Sequence, residues 1–272
     1  METVGFLFDA ALTKPIVTVL AGIYHGLLLL HVPYPLGFSL ILLTVVMRIV
    51  LYPLTHSQLK ASKQMQTVAP HLSRLKDKHK NDSKKLQTET MKLYKEHGIN
   101  PAAGCLPLII QLPIIWALYD AFQKIVNMSP DAAMRFVNNE VYISTFKLTM
   151  PWDLSFFGIP LGLSPSALLQ TMPYLLLIPV ITGVLQFIQS KMMILPKDPN
   201  EKKKSDDFAT AFQTQSTYLF PFMIALFSYQ LPVGLSLYWN TFTIFGILQQ
   251  YQLQGWGGMK FWPSKSLIKN KK

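Results

Sequence analysis

Five apolar stretches separated by polar segments dominate the hydrophobic pattern of the chain. The first of them, 36–54, has the roughly 20 residues that a helix needs to cross the hydrocarbon core of a bilayer. The pattern therefore predicts an all-α integral membrane protein with five transmembrane helices. The predicted spans TM1 to TM5 cover residues 36–54, 101–125, 168–195, 216–231 and 233–253.

The polar segment 55–100 has apolar residues at helical spacing on either side of a break at Asn81-Asp82-Ser83. Intervals of three, four and seven predict two helices that pack as a cytoplasmic hairpin. A solvated loop is the alternative, but acids mixed among the bases favour ordered helix faces. The apolar positions are Leu59, Met65, Val68, Leu72 and Leu75 in the first arm and Leu86, Met91, Leu93 and Tyr94 in the second.

Four further segments complete the predicted organisation. Residues 1–35 form an extracytoplasmic N-terminus, in which 16–32 predict an amphipathic helix lying in the membrane interface, with a sixth span as the alternative. Residues 126–167 form an extracytoplasmic connector and 196–215 a cytoplasmic loop. Residues 254–272 form a basic cytoplasmic tail.

The positive charge is concentrated in the segments predicted to be cytoplasmic. Of 25 Lys and Arg, ten lie in 55–101, four in 197–204 and five in 260–272, and the net charge is +11. The positive-inside rule therefore predicts an outside N-terminus and a cytoplasmic C-terminus. For the tail we favour contact with anionic lipids over contact with ribosomal RNA, and we expect no sequence-specific nucleic-acid binding.

No catalytic chemistry is indicated. Cys105 is the only cysteine, and the six histidines have no metal-ligand spacing. Gly-rich phosphate loops and nucleophile motifs do not occur in the sequence. We therefore expect that this protein binds no cofactor and no metal and that it is not an enzyme.

Arg48 stands out because it is a guanidinium inside TM1. A charge near the bilayer centre costs at least about 2.5 kcal/mol, so it normally faces protein or water. Pro53 is close, so snorkelling to the interface is the alternative. Thr44 lies one helical turn before Arg48, on the same face.

Three stretches of the chain resemble the YidC/Oxa1/Alb3 family of membrane protein insertases. They are RIVLYPL at 48–54, NPAAGCLPLIIQLPI at 100–114 and LPVGLSLYWN at 231–240. The second stretch is the most specific, because an apolar span rarely combines those prolines, glycine and glutamine.

The resemblance implies five helices around a hydrophilic groove that is open to the cytoplasm and to lipid. It implies an insertase that passes hydrophobic segments of nascent proteins into the bilayer without nucleotide hydrolysis. The compact bacterial type is expected, in the plasma membrane, although the lipoprotein cysteine usual in Gram-positive members is absent here.

The same resemblance assigns roles to particular residues. Arg48 matches the groove arginine, and Thr44 and Trp239 match positions that contact the passing substrate. Gln111, Asn240 and Gln186 are candidates for hydrogen bonds in the groove, each with an ordinary helix–helix hydrogen bond as the alternative.

The resemblance also predicts partners. Nascent membrane proteins and membrane lipids are expected, and the ribosome and a Sec translocon are candidates. A small channel or solute transporter is the competing function, because it would also bury an arginine among spans. Such a protein would be expected to contain repeated halves, which five unlike spans do not offer.

Overall fold

The computed structural model describes residues 8–79, 82–99, 106–193, 208–257 and 259, and it confirms a mainly helical protein. A π-helical turn at Asp9–Thr13 leads into the first helix, and short 3-10 turns lie at Ser144–Phe146 and Pro173–Leu176. The α-helices of the described part are α1 Lys14–Leu29, α2 Pro35–Val50, α3 Tyr52–Lys78, α4 Ser83–Glu96, α5 Leu106–Asn127, α6 Pro130–Glu140, α7 Leu177–Met192, α8 Phe208–Gln230 and α9 Val233–Gln254.

A short β-hairpin corrects the prediction that the fold is entirely helical. β1 Ser155–Phe156 pairs antiparallel with β2 Ile159–Pro160, inside the connector predicted at 126–167. Both turn residues, Phe157 and Gly158, have positive φ angles of 51° and 77°. Two consecutive residues with positive φ are typical of a type I′ turn, whose backbone twist matches the twist of the two strands that it connects.

The span predicted at 36–54 is not one straight helix. α2 ends at Val50, and α3 begins at Tyr52 after a bend of 60°. Pro53 lies in the first turn of α3. It has no N–H to continue the hydrogen bonding of α2, so the break falls here.

Two helical segments of the described chain are long and apolar enough to cross a membrane, Asp9–Leu29 and Pro173–Met192. The bent pair Pro35–Val50 with Tyr52–Ala61 makes a third only if the two helices count as one broken span. The five-span count therefore stays a prediction.

The N-terminal helix packs along α2 through one face. Val17, Leu20, Ala21 and Tyr24 on that face are at most 4% exposed. Gly22 lies against the ring of Phe146, where a larger side chain would collide. This segment is long and apolar enough to cross a membrane, as the sixth-span alternative requires. Its location in the membrane interface stays a prediction.

The later helices begin and end at other residues than the sequence pattern suggested. α7 begins at Leu177, nine residues into TM3, because the backbone at Met172 is not helical and Pro173 starts a 3-10 turn first. α8 already begins at Phe208, within the loop predicted at 196–215. Residues 100–105 and 194–207 lie outside the described part, as do 260–272 of the predicted tail.

The polar hairpin consists of α3 and α4, which pack through a small apolar cluster of Val68, Leu93 and Ile99. Asp82 caps α4, because its carboxylate accepts a hydrogen bond from the backbone N–H of Lys85 at 3.0 Å. The side chain of Met65 lies outside the described part.

Helix α9 packs against both α2 and α7, and α7 packs against α8. The main core is shared with α1 and α5, and Leu36, Leu40 and Tyr238 in it are fully buried. Three hydroxyl groups join α7, α8 and α9: Ser228 Oγ of α8 lies 3.1 Å from Thr182 Oγ1 of α7 and 2.9 Å from Ser236 Oγ of α9. Such bonds satisfy polar groups where no water reaches.

Candidate functional site: a buried arginine where three helices meet

Arg48 lies on the buried face of α2. It is 5% exposed, whereas its neighbours Ile49 and Val50 are 67% and 69% exposed. A snorkelling side chain would extend along the exposed face towards the interface. The structure instead directs the guanidinium into the protein, so snorkelling does not describe Arg48.

Helix α9 supplies the partners of the guanidinium. Nη1 donates a hydrogen bond to Gln249 Oε1 at 3.1 Å, and Nη2 donates to the backbone carbonyl of Phe242. The guanidinium carbon also lies 3.4 Å from the centre of the Phe242 ring. A planar cation stacked on an aromatic ring gains a cation–π attraction that desolvation strengthens.

Gly246 makes this close approach possible. A Cβ atom at residue 246 would collide with Arg48 Nη2 and with Gln189 Nε2 of α7. Residues 242, 246 and 249 follow helical spacing, so they lie on one face of α9. The guanidinium therefore lies where α2, α7 and α9 meet.

The charge of Arg48 has only neutral partners. Among the residues that the structure describes, no Asp or Glu pairs with it, and its buried Nε–H has no acceptor. A buried cation without a counter-ion is costly, and an unmet donor adds to the cost. The site thus retains a positive charge and a free hydrogen-bond donor.

An aromatic column connects Arg48 to α5. The Phe242 ring stacks on the ring of Tyr238 at a centroid distance of 6.1 Å. The hydroxyl of Tyr238 accepts a hydrogen bond from Gln111 Nε2 at 2.9 Å. The predicted site residue Gln111 is therefore joined to Arg48 through two aromatic rings.

The other predicted residues of α9 make a separate set of contacts. Trp239 Nε1 donates a long hydrogen bond of 3.4 Å to Gln186 Oε1 on α7. Among the described residues, no group hydrogen-bonds to the buried side-chain oxygen of Asn240 or to the buried Gln250 Nε2. This leaves unmet hydrogen-bonding capacity along α9.

Thr44 is the predicted residue that fits an open groove least well. It is fully buried, and its hydroxyl donates to the carbonyl of Leu40 at 2.6 Å. In this arrangement it faces packed protein, one turn from Arg48.

Phe242, Gly246 and Tyr238 were not among the residues predicted for the site. The sequence does hold a signal for two of them: Gly246 lies one helical turn after the aromatic Phe242, and the same helix face continues to Gln249. Such a face indicates a close helix contact, but it does not name the helix that approaches.

Comparison with known proteins places the chain in a family. The model of a family described as 60Kd inner membrane protein matches residues 29–257, which is more than half of the chain. The chain belongs to this family, that of the YidC/Oxa1/Alb3 proteins. The resemblance on the three sequence stretches is thereby confirmed.

Curated family members carry names that state an activity. The chain is 34% identical to the membrane protein insertase YidC of Fusobacterium nucleatum subsp. nucleatum, over 79% of this chain and 84% of that protein. It is 30% identical to the membrane protein insertase MisCA of Bacillus subtilis, over 80% and 70%. It is 32% identical to ALBINO3-like protein 1, chloroplastic, of Arabidopsis thaliana, over 89% of this chain and about half (48%) of that protein.

A solved crystal structure, of an active YidC insertase with its first transmembrane domain resolved, is 29% identical. The similarity covers 85% of this chain and 46% of that chain, with a TM-score of 0.46. Family membership rests on the sequence comparisons. The relatives named here give no support to the channel or transporter alternative.

Proposed function

We propose that this protein is a membrane protein insertase that passes hydrophobic segments of nascent proteins from the cytoplasm into the bilayer. Arg48 provides a fixed positive charge that attracts acidic residues in the part of the substrate that must cross. The burial of Arg48 without a carboxylate partner in the described part of the chain supports this role most directly.

The physical task is to carry polar groups past hydrocarbon. Moving a charged or hydrogen-bonding group through it unaided costs several kcal/mol. A polar path that reaches part of the way into the membrane lowers this barrier. The apolar part of the substrate then enters lipid, and burial of its surface at about 25 cal/mol per Å² drives the transfer.

Polar groups without partners are suited to hold a substrate for a short time. Arg48 Nε, Asn240 Oδ1 and Gln250 Nε2 are buried and unpaired among the described residues. A passing peptide offers both carbonyl and N–H groups. Weak hydrogen bonds between these protein groups and the peptide would form and break as the peptide moves, and so would guide it without retaining it.

Opening is required before a substrate can reach Arg48. We propose that α7 moves away from α9, because the contact of Trp239 with Gln186 is long at 3.4 Å and Gly246 places no side chain of its own against Gln189 of α7. In the open state, Thr44, Gln111 and Trp239 would line the hydrophilic groove. Nucleotide hydrolysis has no part in this scheme.

The remaining parts follow from the proposed topology. The N-terminus lies outside and the C-terminus in the cytoplasm, so the α3–α4 hairpin lies where substrate arrives. The hairpin would receive nascent chains, and the ribosome and a Sec translocon are proposed partners there. The basic tail would bind anionic lipids.

Complementation tests the function as a whole. Expression of the chain in a cell depleted of its own insertase should restore growth and the insertion of a reporter membrane protein. Failure of both, with the protein present in the membrane, would contradict the proposal. Solute flux in vesicles without insertion would favour the channel alternative.

A further inference from the structure

The side-chain oxygen Oε1 of Gln249 accepts a hydrogen bond from Arg48 Nη1 at 3.1 Å. Arginine carries only donors, so the amide must turn its oxygen, and not its NH₂ group, towards the guanidinium. Within the described part of the chain, no other side chain accepts a hydrogen bond from Arg48. The amide therefore occupies a position on Arg48 that a carboxylate of similar shape could also occupy.

A carboxylate would bind the guanidinium more strongly than the amide of Gln249 does. Hydrogen bonds between guanidinium and carboxylate groups are among the strongest in proteins, and they are often bidentate. A carboxylate also adds the attraction of opposite charges, which is large where water is excluded. An acidic residue of a substrate can therefore displace Gln249 from Nη1, whereas an uncharged residue gains little by doing so.

The two acceptors on α9 differ in how easily they can leave the guanidinium. The carbonyl of Phe242 belongs to the helix backbone, and the Phe242 ring lies on the guanidinium at 3.4 Å from its carbon. Gln249 holds its oxygen on a flexible side chain and is only partly buried. A substrate can therefore displace Gln249 without moving the backbone of α9.

Gln249 also lies on the side from which a substrate would arrive. It follows Phe242 by seven residues, which is about 10 Å along a helix axis, towards the C-terminal end of α9. In the proposed topology this end faces the cytoplasm. The proposed opening moves α7 away and leaves Gln249 beside Arg48, so an arriving carboxylate must compete with the amide.

We propose that Gln249 is a competing internal ligand of Arg48: its amide occupies Nη1 in the absence of substrate, and a substrate carboxylate must displace it to bind. The competition lowers the affinity of Arg48 for acidic segments, so that they are bound and then released. Because Arg48 attracts acidic segments in the proposed function, the role of Gln249 rests on that function. A carboxylate at this position would instead pair with Arg48 and cancel its charge.

Peptide binding to the full chain in detergent tests the competition, measured by fluorescence anisotropy. The probes are two labelled peptides that share one apolar segment and carry a tail of either aspartates or asparagines. Gln249→Met keeps the length of the side chain and removes the amide, so it should bind the aspartate peptide about threefold to tenfold more tightly. A contact that only stabilises the structure predicts weaker binding of both peptides. Unchanged or weaker binding of the aspartate peptide would overturn the proposal.

The opposite change should have the opposite effect. Gln249→Glu places a carboxylate beside Arg48, so binding of the aspartate peptide should weaken by about tenfold or more, to near the affinity for the asparagine peptide. Gln252→Met and Gln252→Glu make the same changes at an exposed position of α9, and both should bind as wild type does. Equal effects of Gln249→Glu and Gln252→Glu would contradict the competition.

Arg48→Ala separates the role of Gln249 from the proposed function. It should abolish the difference in affinity between the two peptides. If it does so while Gln249→Met binds both peptides as wild type does, only the role of Gln249 is refuted. If wild type itself binds the two peptides equally, the attraction by Arg48 is refuted, and the role of Gln249 with it.

Discussion

The two ends of α2 are built from opposite chemistries. At the Pro35 end, the ring of Phe156 occupies the space that a side chain at Gly37 would take, and Phe38 packs on it with a centroid distance of 5.3 Å. At the other end, Arg48 lies among glutamines and an aromatic ring. The first end gains stability from close packing, whereas the second retains an uncompensated charge. In the function that we propose, this one helix closes the protein on one side and attracts a substrate on the other.

Replacing Gly246, at the polar end, with a large residue should have the largest effect on stability and insertion. Gly246→Leu would push the guanidinium off Phe242 and overpack the contact, which costs about 3 kcal/mol or more. We expect a large loss of thermal stability in detergent and loss of insertion. Gly26→Leu is the control, because nothing lies within 4 Å of a Cβ atom there. A Gly246→Leu protein with normal activity would show that the Arg48 contact with α9 is dispensable.

At the apolar end, we expect loss of stability without a change in substrate preference. Gly37→Ala forces the Phe156 ring aside, and we expect it to cost about 1–3 kcal/mol. In the Gly37→Ala protein, Phe156→Ala should cost less stability than it does in wild type, because the added methyl group and the Phe156 ring compete for one space. Thermal unfolding of the two single variants and the double variant measures this coupling. Additive effects would mean that the two side chains do not share this space.

Removing one partner of Arg48 should have a smaller effect. Gln249→Leu leaves Nη1 without its acceptor at 3.1 Å, and we expect it to cost about 1–3 kcal/mol. Insertion should slow, and substrates with acidic tails should be affected less than neutral ones because the charge remains. Gln252→Leu, at an exposed position of the same helix, is the matched control. Equal effects of the two changes on stability would contradict the contact.

The smallest effect is expected at the hydroxyl groups that join α7, α8 and α9. Ser228→Ala removes the hydroxyl that joins Thr182 and Ser236, and such bonds in membranes average about 0.6 kcal/mol. We expect a slight fall in unfolding temperature and normal insertion of all substrates. A marked loss of insertion would place a functional role on this hydroxyl group instead.

Much of this arrangement could be predicted from the sequence, because it follows from local chemistry. The cost of a charge in an apolar span singles out Arg48, and Pro232 predicts the start of α9 at Val233. The 60° bend after Val50 was missed because apolar residues continue through it to Leu54. Hydropathy does not respond to a change in helix direction.

The contacts across helices could not be predicted in the same way. That Phe242 and Gly246 face Arg48 depends on how α2 and α9 are rotated against each other, and no single-helix pattern encodes this rotation. The β-hairpin was missed because its strands have two residues each, too few for an alternating pattern to appear. The sequence did identify Gln111, but its contact with Tyr238 required the packing of α5 on α9.

The charge of Arg48 is the central claim, and its most direct test is a comparison of two substrates in reconstituted vesicles. The substrates share one apolar segment and differ only in whether the tail that crosses is acidic or uncharged. We predict that Arg48→Ala slows the acidic substrate markedly more than the uncharged one, and that Arg48→Lys retains much of the preference if charge is what matters. Equal slowing of both substrates by Arg48→Ala, or no slowing of either, would contradict an electrostatic role for Arg48.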